Sequence, residues 1–105
     1  METIIKSVKN PLPTLEQFEH LMETQGESMA PNGCCYYLTT YTGVVQSIKG
    51  QPCVIRTRPD QTVDTIVGYN SFPFETRNMA LYWAIQDGRR EFTDGRGLHE
   101  RRLLA

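Results

Sequence analysis

The stretch CCYYLTTYTGVVQSIKGQPCVIRTRPDQTVDTIVGY, residues 34–69, decides how the chain folds. Strand-like runs follow one another in it: Cys34 to Tyr41, Val44 to Ile48, Cys53 to Arg58 and Thr62 to Tyr69. They are rich in β-branched and aromatic residues, whose side chains fit a pleated, half-buried surface. The separators Thr42-Gly43, Gly50-Gln51-Pro52 and Pro59-Asp60-Gln61 are turn chemistry. Connections this short favour antiparallel hairpins, because a parallel crossover needs a dozen or more residues. Alternation places Cys35, Tyr37, Thr39 and Tyr41 on one face of the first run, and Cys34, Tyr36, Leu38 and Thr40 on the other. In the third run Cys53, Ile55 and Thr57 oppose Val54, Arg56 and Arg58. A sheet covered on one face by helices fits both patterns.

Helices flank this stretch. Thr14 is a natural N-cap, and Gln17 three positions later completes a capping box. Leu15, Phe18, Leu21 and Met22 then form one apolar stripe, and Gly26 is placed to stop a helix running from Thr14 to Gln25. Glu27 to Gly33 reads as a loop with Pro31 and an Asn32-Gly33 turn. On the far side, Asn70 to Phe74 forms a stiff aromatic connection into a second helix, Glu75 to Asp87, ended by Gly88. Its run from Met79 to Ile85 is apolar around most of the circumference, so it is expected to be the more buried helix. Thr3 to Val8 reads as a strand cut off by Asn10-Pro11-Leu12-Pro13, and Arg89 to Thr93 as a further strand-like piece. The expected fold is α+β, an antiparallel sheet of about four to five strands with two helices packed on it.

The chain has 105 residues, 39% hydrophobic and 22% charged, which suits one packed domain over 1–105. Residues 94–105 form an arginine-bearing tail whose order the sequence leaves open. No apolar run approaches the roughly 20 residues that span a bilayer, so no membrane partner is expected. Met1 to Lys6 has no basic region leading into an apolar stretch, which points to a cytoplasmic location.

Few residues are arranged for chemistry. Cys34, Cys35, Cys53, His20 and His99 show none of the spacings that ligate zinc, and no local motif exposes a thiol beside a base. Gly95 and Gly97 are a lone pair without a phosphate-loop context. No enzyme, metal or cofactor is therefore expected. Charge is segregated instead: between Asn10 and Ile48 the only charged side chains are Glu16, Glu19, Glu23 and Glu27, while arginines gather from Arg89 onward.

That pattern fits a small protein that works by contact. Glutamates can imitate phosphate spacing and occlude a partner's basic surface, and the chain resembles small inhibitors from phages and mobile elements in its size and lack of motif; Tyr and Arg are favoured at interface centres. The expected contact set is Glu16, Glu19, Glu23, Glu27, Tyr37, Tyr41, Arg56 and Arg58; the expected partner is another protein, with self-association as a secondary option. The alternative is a single-stranded nucleic-acid module that stacks bases on the strand tyrosines and holds phosphates with Arg56 and Arg58. Its weakness is a net charge of −1.

Overall fold

The computed structural model describes residues 11–90 and 100–103. The expected strand at Thr3 to Val8, and residues 91–93 of the strand-like piece after the second helix, lie outside them. Helix α1 spans Leu15–Gln25. Its start is held reciprocally: Gln17 N–H donates to the Thr14 hydroxyl at 3.1 Å, and Thr14 N–H donates to Gln17 Oε1 at 3.0 Å. Gly26, at φ 77°, ends it in the left-handed conformation that a side chain disfavours.

The chain turns from Gly26 straight into strand β1, Glu27–Met29, where a loop was expected. Glu-Ser-Met has little intrinsic strand preference; pairing with β2, Cys35–Thr40, imposes the conformation, with Glu27 opposite Tyr37 and Met29 opposite Cys35. Strands β3, Pro52–Thr57, and β4, Val63–Tyr69, continue the antiparallel meander. Val44 to Ile48 is not a strand. It belongs to the connection from β2 to β3 and holds one 3-10 turn, Gln46–Ile48. Tyr41 N–H donates to Gln51 O and Gly50 N–H to Tyr41 O, both at 2.9 Å. These bonds close the ladder before residue 44, so Val44 pairs with no strand among the described residues and is 88% exposed. Ile48 instead folds back over the sheet.

Asn70 and Ser71, with φ of 55° and 72°, form the tight turn into β5, Phe72–Pro73. Positive φ at both central positions is what a type I′ hairpin turn requires. A final strand, β6 at Glu100–Leu103, pairs with β4. Thr65 and Ile66 pair with both β3 and β6, so β6 occupies the opposite edge of β4. All pairings in the sheet are antiparallel. With two helices on it, this is the expected α+β fold.

Helix α2 spans Arg77–Arg89, beginning at Thr76, whose hydroxyl accepts from Met79 N–H at 3.2 Å. Gly88 does not end it. A Cβ there would lie 2.5 Å from Phe18 Cε2 and 2.7 Å from Ala30 Cβ, so this glycine lets α1 and α2 approach closely. Nor is α2 buried all round: Ala80, Trp83, Ala84, Asp87 and Gly88 form one buried face, because the sheet lies on one side only. Phe18, Met22, Tyr36, Leu38, Val54, Ile66, Phe74 and Trp83 make the core between sheet and helices. Their rings interlock, with centroids of Phe18 and Tyr36 5.7 Å apart and of Phe74 and Trp83 6.3 Å apart. Gly88→Val should overpack this junction and lower unfolding stability by about 3 kcal/mol, read as a reduced urea midpoint with an unchanged slope.

Candidate functional site

Strand register brings Tyr36, Arg56 and Asp64 into one row on the helix-facing side of the sheet. Asp87 descends onto that row from α2. Arg56 donates from Nη1 to Asp87 Oδ2 at 3.0 Å and from Nη2 to Asp64 Oδ2 at 2.8 Å. The Tyr36 hydroxyl also donates to Asp87 Oδ2, Arg58 pairs with Asp64, and Arg90 donates to Asp87 Oδ1 at 2.9 Å. Asn32 donates to the Asp87 carbonyl at 2.9 Å and to the Tyr36 hydroxyl at 3.0 Å, tying in the turn between β1 and β2. The Arg56 guanidinium also lies 5.7 Å from the Trp83 ring centroid.

This environment shifts the groups within it. Burial, reinforced by the Asp87 charge, holds the Tyr36 hydroxyl far above the ordinary tyrosine range. Burial pushes the Asp64 carboxyl up, but the hydrogen bonds from Arg56 and Arg58 outweigh it and keep it below its usual value. Burial likewise raises the Cys34 and Cys53 thiols. The centre of the cluster is closed to solvent, Arg56 being 1% exposed and Asp64 and Asp87 2% each, while Arg58 and Arg90 reach toward the surface at its margin. Its arrangement suits holding α2 on the sheet.

The expected contact residues therefore part company. Arg56 is interior, and Arg58 lies at the edge of the same ion cluster. Tyr41 is buried as well, forming with Ile48, Cys53 and Val67 a small second core where the connection from β2 to β3 covers one end of the outer sheet face. Tyr37 is on that outer face and is 47% exposed. Glu27 is its cross-strand partner and shares its face. Met29, Cys35 and Val63 are exposed along the same side, and Ile55 sits half-buried between the Tyr37 and Thr65 positions. Glu16, Glu19 and Glu23 fall at i, i+3 and i+7, one line along α1 away from its buried Phe18 and Met22.

A second surface went unrecognised in the sequence. Between the β4–β5 hairpin and the outward side of α2 lies an apolar groove of about 920 Å³. Tyr69, Phe72, Met79 and Tyr82 form its walls, Phe72 being 70% and Tyr82 67% exposed. Asn78, Gln86 and Arg89 lie along it, and Trp83 forms part of its lining. The signal was present in the spacing of Asn78, Met79, Tyr82, Gln86 and Arg89, a second helical stripe beside the buried one.

Among the described residues, no group of three or more His, Cys, Asp or Glu side chains could hold a metal ion, and no helix is long and apolar enough to cross a membrane. No protein-family model, curated protein or solved structure matches the chain.

Two measurements check this geometry. The unfolded chain's tyrosines ionise near pH 10.0, whereas folded Tyr36 keeps its proton well beyond that. The stability it contributes is full below pH 10 and is lost as pH rises above it, by about 1.4 kcal/mol per unit. Urea melts between pH 9 and 11 should show this alkaline slope in the parent and a shallower one in Tyr36→Phe. Maleimide labelling of the native chain should modify Cys35 rapidly, with buried Cys34 and Cys53 reacting only on unfolding.

Proposed function

We propose that the protein is a non-enzymatic binding factor whose partner is another protein, engaged through the outer sheet face around Tyr37. The observation that carries this reading is the juxtaposition of exposed Met29, Tyr37 and Val63 on one sheet face, with Glu27 beside Tyr37. An aromatic centre rimmed by charge is the usual anatomy of an interface hot spot. The glutamate line of α1 adds negative potential nearby in the chain. The complementary partner presents an apolar recess within a basic surface, and the protein acts by occluding that surface, as an inhibitor or accessory factor does. The nucleic-acid alternative is less well supported, since Arg56 and Tyr41, two of its contact residues, are interior.

Affinity capture with mass spectrometry, run beside a binding assay on single-stranded RNA and DNA, tests the reading. Proteins retained by the parent should be lost or weakened about 30-fold by Tyr37→Ala, and weakened at low salt, with the difference fading at high salt, by Glu16→Lys combined with Glu19→Lys and Glu23→Lys. Retention of the same proteins by every variant would overturn the sheet-face assignment. Oligonucleotide binding that Tyr37→Ala abolishes would overturn the protein-partner class itself.

A further inference from the structure

The groove between the β4–β5 hairpin and α2 is unevenly built along its length. Phe74 and Trp83, both buried, form its floor, and Tyr69, Phe72, Met79 and Tyr82 its walls. Three amides and two arginines make up the rest of its described lining, which holds no carboxylate. The only charges on it are therefore positive, and they stand together. Arg89 and Arg90 close the C-terminal end of α2, about 15 Å from Met79 at 1.5 Å per helical residue. Neither arginine is used up by the fold. Arg89 is exposed and joins no ion pair among the described residues. Arg90 gives one nitrogen to Asp87 at 2.9 Å, but its Nε–H is buried and meets no acceptor among the described residues. A buried donor left unpaired is costly until something supplies the acceptor.

We propose that the groove is a binding site for a small amphipathic anion of the fatty-acid class. Its carboxylate sits at Arg89 and Arg90, and its hydrocarbon chain lies over Trp83 and past Tyr82 and Phe72 toward Met79. The volume of about 920 Å³ is that of a small-molecule site, and such sites are mostly apolar with a few polar groups that fix orientation. A carboxylate accepts hydrogen bonds and donates none, which matches the guanidinium N–H groups at this end. An extended hydrocarbon chain fills an apolar stretch about 15 Å long, where a single aromatic ring leaves most of it empty. The C-terminal end of a helix by itself repels an anion. The attraction must therefore come from the two arginines, so reversing one of their charges tests it directly.

The site goes beyond the sheet-face reading and stands apart from it, because Tyr37 lies on the side of the sheet away from α2. Trp83 is the single tryptophan of the chain and stands in the floor of the groove, so its fluorescence reports occupancy. Titration of the full chain with laurate, kept below its micelle concentration, should give a saturable one-site change with a micromolar Kd. Dodecyltrimethylammonium, with the same chain length and the opposite charge, should bind about tenfold more weakly. Arg89→Glu should weaken laurate about tenfold and remove that preference, and Met79→Gln should weaken both probes about threefold by taking apolar surface from the tail end. Tyr37→Ala should leave laurate binding unchanged, so failure of either reading is visible without the other. All these substitutions are at exposed positions, and unchanged far-ultraviolet circular dichroism verifies the fold. A Trp83 signal that never saturates overturns the proposal, as does equal affinity for the two probes. Laurate binding indifferent to both Arg89→Glu and Met79→Gln overturns it too, and benzoate binding as tightly as laurate overturns the fatty-acid class.

Discussion

A positive charge at the bottom of the molecule governs the rest of its architecture. Arg56 projects from the centre of the sheet toward the helices, and an unpaired guanidinium there would cost several kcal/mol. Asp64 on the neighbouring strand and Asp87 on α2 supply the compensating charge, with Tyr36 and Asn32 completing the hydrogen bonding. These partners come from β2, β4, α2 and a turn. An apolar core tolerates small slips of a helix over a sheet; this one penalises them, because a shift of α2 would strip Asp87 from Arg56. Whether the cluster adds net stability over an apolar replacement is a separate matter from the registry it imposes.

That arrangement also decides what is left for contact. With Arg56, Arg58 and Asp87 committed inside, the surface chemistry falls to two regions on opposite sides of the sheet. The outer sheet face offers Tyr37, Met29 and Val63 beside Glu27. The outward side of α2 offers a longer, aromatic and amide-lined stripe. The 3-10 turn and Ile48 roof one end of the outer face, so its open part is confined to the end near β1.

Local features were legible in the sequence and relational ones were not. The capping box at Thr14 and the stop at Gly26 involve neighbours along the chain, so α1 could be read to the residue. The antiparallel meander followed from turn chemistry and short connections. Gly88 misled because glycine serves two ends: it can terminate a helix or let another element come close, and only the position of Phe18 distinguishes them. Val44-Val45 carries strand-forming residues, yet a strand needs an edge to pair with, and the bonds between Tyr41 and Gln51 had already closed it. β1 was missed for the converse reason, a partner imposing a conformation its residues do not favour. Arg56 was misassigned because charge reads as surface until the register sets Tyr36, Arg56 and Asp64 side by side. Of the contact set, Tyr37 and Glu27 emerged together on one face, while the aromatic stripe of α2 was taken for core.

The distance along the chain between Arg56 and its partners has a kinetic meaning. Asp64 lies 8 residues away and Asp87 31, while Tyr36 is joined to Asp87 across 51. The hairpins of the meander can form early, since their closures are short. They cannot become dry on their own, because half of Arg56's neutralising charge arrives only with α2. Water must remain over the sheet until the helix docks, and the helix has no anchored position until the sheet is in register. Sheet and helix are thus bound to complete their folding in a single late step, and a partly assembled intermediate gains little by lingering.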